Sequence, residues 1–209
     1  MENPPSPPPL RSPRVSPVKQ GNAVERFFDN GRLWQVLCVA LLVLIVTRGL
    51  WSGGTHPLQG QSAPTFTLAA LEGEPVNLDG PLGEQVIVLD FWASWCGPCR
   101  QGLPVIAEVA AEYASKGVVT YAVNVGERPE DIRAFVQETR LKLPILVDES
   151  TGISSKYGVE GIPQTVIIGR DGIVHEVHVG LSFNMGDALR STLDTLLAAP
   201  ASPSAPAAT

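Results

Sequence analysis

Histidine and cysteine are scarce in this chain, with three of each in 209 residues. So few cysteines exclude a disulfide-dense mini-fold. A structural zinc site takes about four ligands, usually two Cys/His pairs, and no second pair accompanies Cys96 and Cys99. Cys38 lies inside an apolar run, while His175 and His178 stand three apart in a strand-like run, where alternation puts them on opposite faces. Basic residues are short in the body as well: no Lys or Arg falls between Arg48 and Arg100. Residues 1–48 carry a net charge of +3, so the rest carries −9 of the overall −6. An acidic body lacks the basic footprint of nucleic-acid binding.

What is present falls into unequal parts. Seven of the 19 prolines lie between Pro4 and Pro17 and three more at Pro200, Pro203 and Pro206. Residues 1–32 and 199–209 are therefore predicted to be disordered tails, the first on the cytoplasmic side. Residues 33–46 form the most hydrophobic run. Extended to Trp51 it reaches the ~20 residues of a membrane span, with Arg48 snorkelling and Trp34 and Trp51 at the interfaces. The basic residues before it put the N-terminus in the cytoplasm and the body outside, in the periplasm or its equivalent. The rival is a cleaved signal peptide, but no convincing small-residue cleavage site follows. The reading is a single-pass anchor over 33–51, a linker over 52–62 and one globular domain over 63–198.

That domain opens with short strand-like runs around residues 63–68 and 76–78, a hairpin. Residues 86–92 form an apolar run broken only by Asp90, a strand buried on both faces. Strands are also predicted at 118–124, 145–147, 165–168 and 173–179, the last two joined by the turn signal Arg170-Asp171-Gly172. Helices are expected at 103–114, 128–137, 152–157 and 184–198; the second has Pro129 at its start and acids in its first turn. Strands alternate with helices before a closing hairpin. The fold class is α/β, a central mixed sheet flanked by helices.

The chemistry centres on Cys96-Gly97-Pro98-Cys99, where the central strand gives way to a helix. Two intervening residues let the sulfurs close a disulfide, which needs Cα atoms less than about 7 Å apart. At a helix N-terminus, free N–H groups and the helix dipole favour thiolate, lowering a pKa toward roughly 7. Cys96 is the expected attacker and Cys99 the resolving thiol. Asp90 interrupts the apolar strand that leads to them. It is either a satisfied core group or a carboxyl with a raised pKa that passes a proton during exchange. Pro163 precedes a strand and is either a strand-edge start or a cis proline beside the site.

Asp90-Phe-Trp-Ala-Ser-Trp-Cys-Gly-Pro-Cys99 resembles the thioredoxin active-site segment, and Gly161-Ile162-Pro163 resembles the cis-proline loop that faces it. Ala63-Pro-Thr-Phe66, Val123-Asn-Val-Gly-Glu127 and the apolar N-terminal run are similar to the membrane-anchored TlpA/ResA branch. The resemblance implies a thioredoxin fold with an N-terminal hairpin and a central insertion, preceded by one transmembrane helix. It implies that Pro163 is cis, that Asp90 is the buried acid, and that clients bind across Trp95, Gly97, Pro98, Ile162 and Pro163. The redox-active disulfide Cys96–Cys99 serves in place of any cofactor or metal. Gly97-Pro98 is thioredoxin's own dipeptide, which implies a reductant. Electrons would then come from a DsbD- or CcdA-like transmembrane partner, and the clients would be disulfides of exported proteins, as in cytochrome c or copper-site assembly. One departure stands out: ResA-like members carry glutamate where this chain has Gly102. Two alternatives use the same cysteines. One is a peroxiredoxin-like thiol peroxidase, since the Ala63-Pro-x-Phe start is shared with that group. The other is a Cu(I)-handling module.

Overall fold

The computed structural model describes residues 31–51, 56–79, 82 and 84–199, with side chains of the first segment described over 34–44. The chain divides into two units, Met1–Gly53 and Gly54–Thr209. The expected tails, apart from residues 31, 32 and 199, lie outside the described residues.

In the first unit, α1 (Gly31–Trp51) is a helix of 21 residues. Cys38 on it is a free, exposed thiol. Among the described residues no helix is long and apolar enough to cross a membrane, so a transmembrane α1 is not shown. The proposed interfacial Trp51 and snorkelling Arg48 have side chains outside the described residues.

The second unit is built on a seven-stranded sheet. Its strands are β1 (Thr67–Ala70), β2 (Val76–Asn77), β3 (Val86–Trp92), β4 (Val118–Val125), β5 (Ile145–Asp148), β6 (Gln164–Ile168) and β7 (Val174–Val179), in spatial order β2-β1-β5-β4-β3-β6-β7. Helices α2 (Gly97–Tyr113), α3 (Pro129–Thr139), α4 (Gly152–Lys156) and α5 (Met185–Ala198) complete it. The β3, β4 and β5 trio is parallel, whereas β6, β7 and the β1/β2 hairpin run antiparallel to their neighbours.

Every residue of β3 is buried, as an apolar run broken only by Asp90 requires, and its two-residue period sorts the core. Ile87, Leu89 and Phe91 pack with Ala63, Phe66, Leu78 and Tyr157 on one face. Val86 and Val88 face Ile106, Val109, Met185 and Leu189 of α2 and α5, while Trp92 faces Leu103, Ile132 and Phe135 of α2 and α3. Asp90 shares this second face. At the start of α3, Pro129 occupies the first turn with Glu130 and Asp131 behind it, which suits the positive helix end.

Two local departures from the sequence expectations have clear causes. The linker expected over 52–62 is not free along its length. The N–H of Gly60 donates to Val174 O at 2.8 Å, the N–H of Val174 to Gln61 O at 2.9 Å, and Ser62 bridges Ile173. These groups cover the edge of β7, which would otherwise present unpaired backbone. The second departure is in β7, where the register shifts opposite Ile167 and Ile168 and leaves His175 without a partner in the ladder. Strict alternation therefore fails there: Val174 and Val177, three apart, pack on the same core.

Candidate active site

Strand β3 ends at Trp92, and the chain makes one turn, closed by the N–H of Cys96 donating to Ala93 O at 3.1 Å. Cys96 then caps α2, with Pro98 in the first turn, where the missing N–H costs nothing. Cys96 and Cys99 form a disulfide with their Cα atoms 5.2 Å apart. The N–H of Cys99 donates to Cys96 Sγ at 3.2 Å. The helix therefore begins at the cysteine pair, as the switch from strand to helix there predicts, ahead of Leu103, where the apolar periodicity starts; Pro98 and Gly97 hide the first turn from a periodicity argument.

Both cysteines are buried, Cys99 more completely, at 1% exposure against 5% for Cys96. Gly97 and Pro98 are exposed. Trp95 is 72% exposed, an unusual place for an indole. Across from the disulfide, the Ile162–Pro163 peptide is cis, and Ile162 O lies 3.8 Å from Cys96 Sγ. The loop is tied back by the N–H of Gly180, which donates to Pro163 O at 2.7 Å. The fold thus brings Cys96, Cys99, Ile162 and Pro163 together.

Asp90 lies in mid-strand, 3% exposed, opposite Thr165 in the β3/β6 register. Burial pushes its carboxyl up to about 7, partly offset by the hydroxyl of Thr165, which donates to Oδ1 at 2.8 Å. A carboxyl poised there exchanges protons readily near neutrality.

Glu127 and Asn124 escaped the residue-by-residue reading. Glu127 accepts the N–H of Ser94 at 2.7 Å, the hydroxyl of Ser94 at 2.5 Å and Asn124 Nδ2 at 2.7 Å. The signal was topological. Parallel neighbours β3 and β4 end side by side, with Trp92 opposite Asn124, so residues just past their ends meet.

At the glutamate position of ResA-like proteins, Gly102 is buried, and a Cβ there would lie 3.2 Å from Met185 Cε and 3.4 Å from Leu181 Cδ1. Apolar side chains from the β7–α5 segment occupy that ground. Of the histidines, His175 lies 2.9 Å from Asp171, and His178 lies 3.3 Å from Glu176 and opposite Thr165 in the β6/β7 register. Among the described residues no group of three or more His, Cys, Asp or Glu is placed to hold a metal ion.

A thioredoxin-type sheet carrying a Cys-Gly-Pro-Cys disulfide at a helix N-terminus, opposite a cis proline, defines a thiol–disulfide oxidoreductase. Comparisons with known proteins agree. The model of the AhpC/TSA family matches residues 59–177, more than half of the chain, and the chain belongs to that family. It is 35% identical over 155 residues to the thiol-disulfide oxidoreductase ResA of Bacillus cereus (strain ZK / E33L), covering 72% of this chain and 89% of that one. It is 40% identical over 124 residues to the thioredoxin-like protein YneN of Bacillus subtilis (strain 168), covering 58% and 72%. Among solved structures, the Chlorobium tepidum chain assigned as a thiol:disulfide interchange protein DsbE superposes with a TM-score of 0.63. The two are 34% identical, over 66% of this chain and 97% of the other.

Proposed function

We propose that this oxidoreductase works as a reductant on disulfides of exported proteins, tethered to the membrane by its N-terminal run with the globular unit outside the cytoplasm. The supporting observation is the disulfide itself: Cys96 at the cap of α2, beside the Ile162 carbonyl and the exposed indole of Trp95. Gly97-Pro98 between the cysteines favours the reducing direction. The tether rests on the apolar composition of residues 33–46 and on the basic residues ahead of it.

In the reaction, the Cys96 thiolate attacks one sulfur of the client disulfide. A mixed disulfide forms, and the other client sulfur leaves as a thiolate and is protonated. Cys99 then passes its proton to Asp90 and attacks Cys96 Sγ. The second client thiol is released, and the Cys96–Cys99 disulfide holds the oxidising equivalent. Two electrons have moved to the client. Trp95, Gly97, Pro98, Ile162 and Pro163 form the surface against which the client segment lies. Resetting needs a dithiol donor, for which a DsbD- or CcdA-like membrane protein has the right chemistry. Apocytochromes c and copper-site assembly proteins are clients of the right kind.

The test is a Cys99→Ala variant expressed in the full chain. Mixed disulfides between Cys96 and exported proteins, released by dithiothreitol, are expected on non-reducing gels. Capture of no protein, with peroxide turnover or bound copper in its place, overturns the reading.

A further inference from the structure

Ser94 stands two residues ahead of Cys96, in the turn that aims the nucleophile, and all its polar groups are held. Its N–H donates to Glu127 Oε2 at 2.7 Å and its hydroxyl to Oε1 at 2.5 Å. Its carbonyl accepts Arg100 Nη1 at 3.3 Å. Glu127 Oε2 also accepts Asn124 Nδ2 at 2.7 Å, from the end of β4. Arg100 is itself held, by Glu138 Oε1 at 3.2 Å and by the ring of Phe135 at 4.9 Å.

Past Trp92 the ladder to β4 stops, so the N–H of Ser94 has no strand partner and turns to a side chain from the adjacent strand end. A carboxylate gripping a backbone N–H and a hydroxyl of one residue, one oxygen each, fixes that residue's direction as well as its place. Such charge-assisted hydrogen bonds are about twice as strong as neutral ones.

We propose that Glu127 is the positioning residue for Cys96. By gripping Ser94 with both carboxylate oxygens, it sets the Ala93–Cys96 turn and so the direction of Cys96 Sγ against the first N–H groups of α2. The thiolate is stabilised only while Sγ points at those groups, so the grip reaches the chemistry through two residues of backbone. Arg100 holds the other side of Ser94 from inside α2, so turn and helix are braced against each other.

The neighbourhood supplies a clean control. Asn124 is fully buried, and its Oδ1 has no hydrogen-bond partner. A glutamine at 127 keeps one oxygen for the N–H of Ser94. Its new amide N–H meets the Ser94 hydroxyl as an acceptor, and the retained oxygen still accepts Asn124 Nδ2, whose buried amide need not turn over. Glu127→Gln thus preserves the grip without the charge, whereas Glu127→Ala abolishes it.

The experiment uses the reduced full chain, alkylated with iodoacetamide across pH, with modification of Cys96 read by peptide mass. In Glu127→Ala the Cys96 rate at pH 7 should fall about tenfold and its titration midpoint rise by about one unit. Glu127→Gln should stay within about threefold of the parent rate and about half a unit of its midpoint. Ser94→Ala, which keeps its backbone bond, should fall between them. A Glu127→Ala protein with parental rate and midpoint overturns the proposal, and so does a Glu127→Gln protein as impaired as Glu127→Ala. If Glu127→Ala does not fold, Ser94→Ala decides, and a parental profile in it overturns the proposal. The inference rests on Cys96 as the attacking thiol; parental Cys96 reacting no faster than Cys99 would overturn that assignment instead.

Discussion

Thr165 and Asp90 face each other across β6 and β3, and the Thr165 hydroxyl donates to the carboxyl at 2.8 Å inside the sheet. One hydroxyl does not replace the water a carboxylate gives up on burial, and the group is held at about 7, well above its ordinary value of 3.8. A carboxyl raised in this way is a liability to the fold above its folded pKa. Below pH 3.8 it is protonated in both states and costs nothing. As pH rises from there to about 7 the unfolded chain ionises first, and stability is lost.

Asp90→Asn should therefore match the parent protein near pH 4, exceed it increasingly up to about pH 7 and hold that margin above it. The ceiling is about 4 kcal/mol, from the span of the shift at about 1.4 kcal/mol per unit. Urea titrations at pH 4, 6 and 8 read this directly, and a gap that does not widen with pH overturns it. The same substitution should slow release of the client from Cys96 by about a hundredfold or more, in the range of a lost general base. An acid kept at such a thermodynamic cost, and without effect on release, would need another explanation.

Trp95 should show the opposite division of labour. At 72% exposure it contributes little packing, so Trp95→Ala should change stability by no more than about 0.5 kcal/mol. Its indole lies next to Cys96 in the chain and gives a client segment apolar area to cover. Reduction of a protein disulfide should therefore lose efficiency about tenfold, chiefly through KM, while reduction of a small disulfide stays nearly unchanged. Equal losses on both would place Trp95 in the chemistry instead.

Arg190 joins α5 to α2 through Glu112 at 2.8 Å and Glu108 at 2.8 Å. The hydrogen bond from Arg190 is the largest cause holding the Glu112 carboxyl below its usual range. This support is present at neutral pH and is lost as pH falls through that lowered value. Arg190→Ala should lower Tm by a few degrees at pH 7 in low salt. The difference should shrink in about 0.5 M salt, because exposed pairs are screened. A salt-independent loss would point to packing of the arginine stem, not charge.

Much of this was legible in the chain, for reasons that differ by residue. The run into Cys96 could be read because β3 is buried on both faces, and such strands leave no polar residue unexplained; Asp90 stood out against it. Pro163 was open on residue grounds alone, since cis bonds form only about 5–6% of X–Pro bonds, and the resemblance to the thioredoxin loop favoured what the structure has. Glu127 was not legible as a site residue. Its partner lies 33 positions away, and only the adjacency of two parallel strand ends joins them. The bulge at His175 was equally hidden, because the period-two rule assumes an unbroken ladder.

Gly102 is where the chain parts from the ResA pattern, and the structure makes the consequence measurable. A methyl group there meets the tip of Met185, a side chain flexible enough to yield, while alanine improves the helix by about 1 kcal/mol over glycine. Gly102→Ala should therefore be neutral to slightly stabilising. Gly102→Glu puts a carboxylate between Met185 and Leu181 or expels Leu181, and should cost about 1–3 kcal/mol. Leu181 follows Gly180, whose N–H holds the Pro163 carbonyl at 2.7 Å, so expulsion disturbs the loop that faces Cys96. The glutamate variant should accordingly lose protein-disulfide reduction well beyond its loss of stability at 25 °C, while the alanine variant keeps both. Urea melts paired with client reduction rates separate the two effects, and a glutamate variant with parental stability and rate would show that the ResA acid fits this fold unopposed.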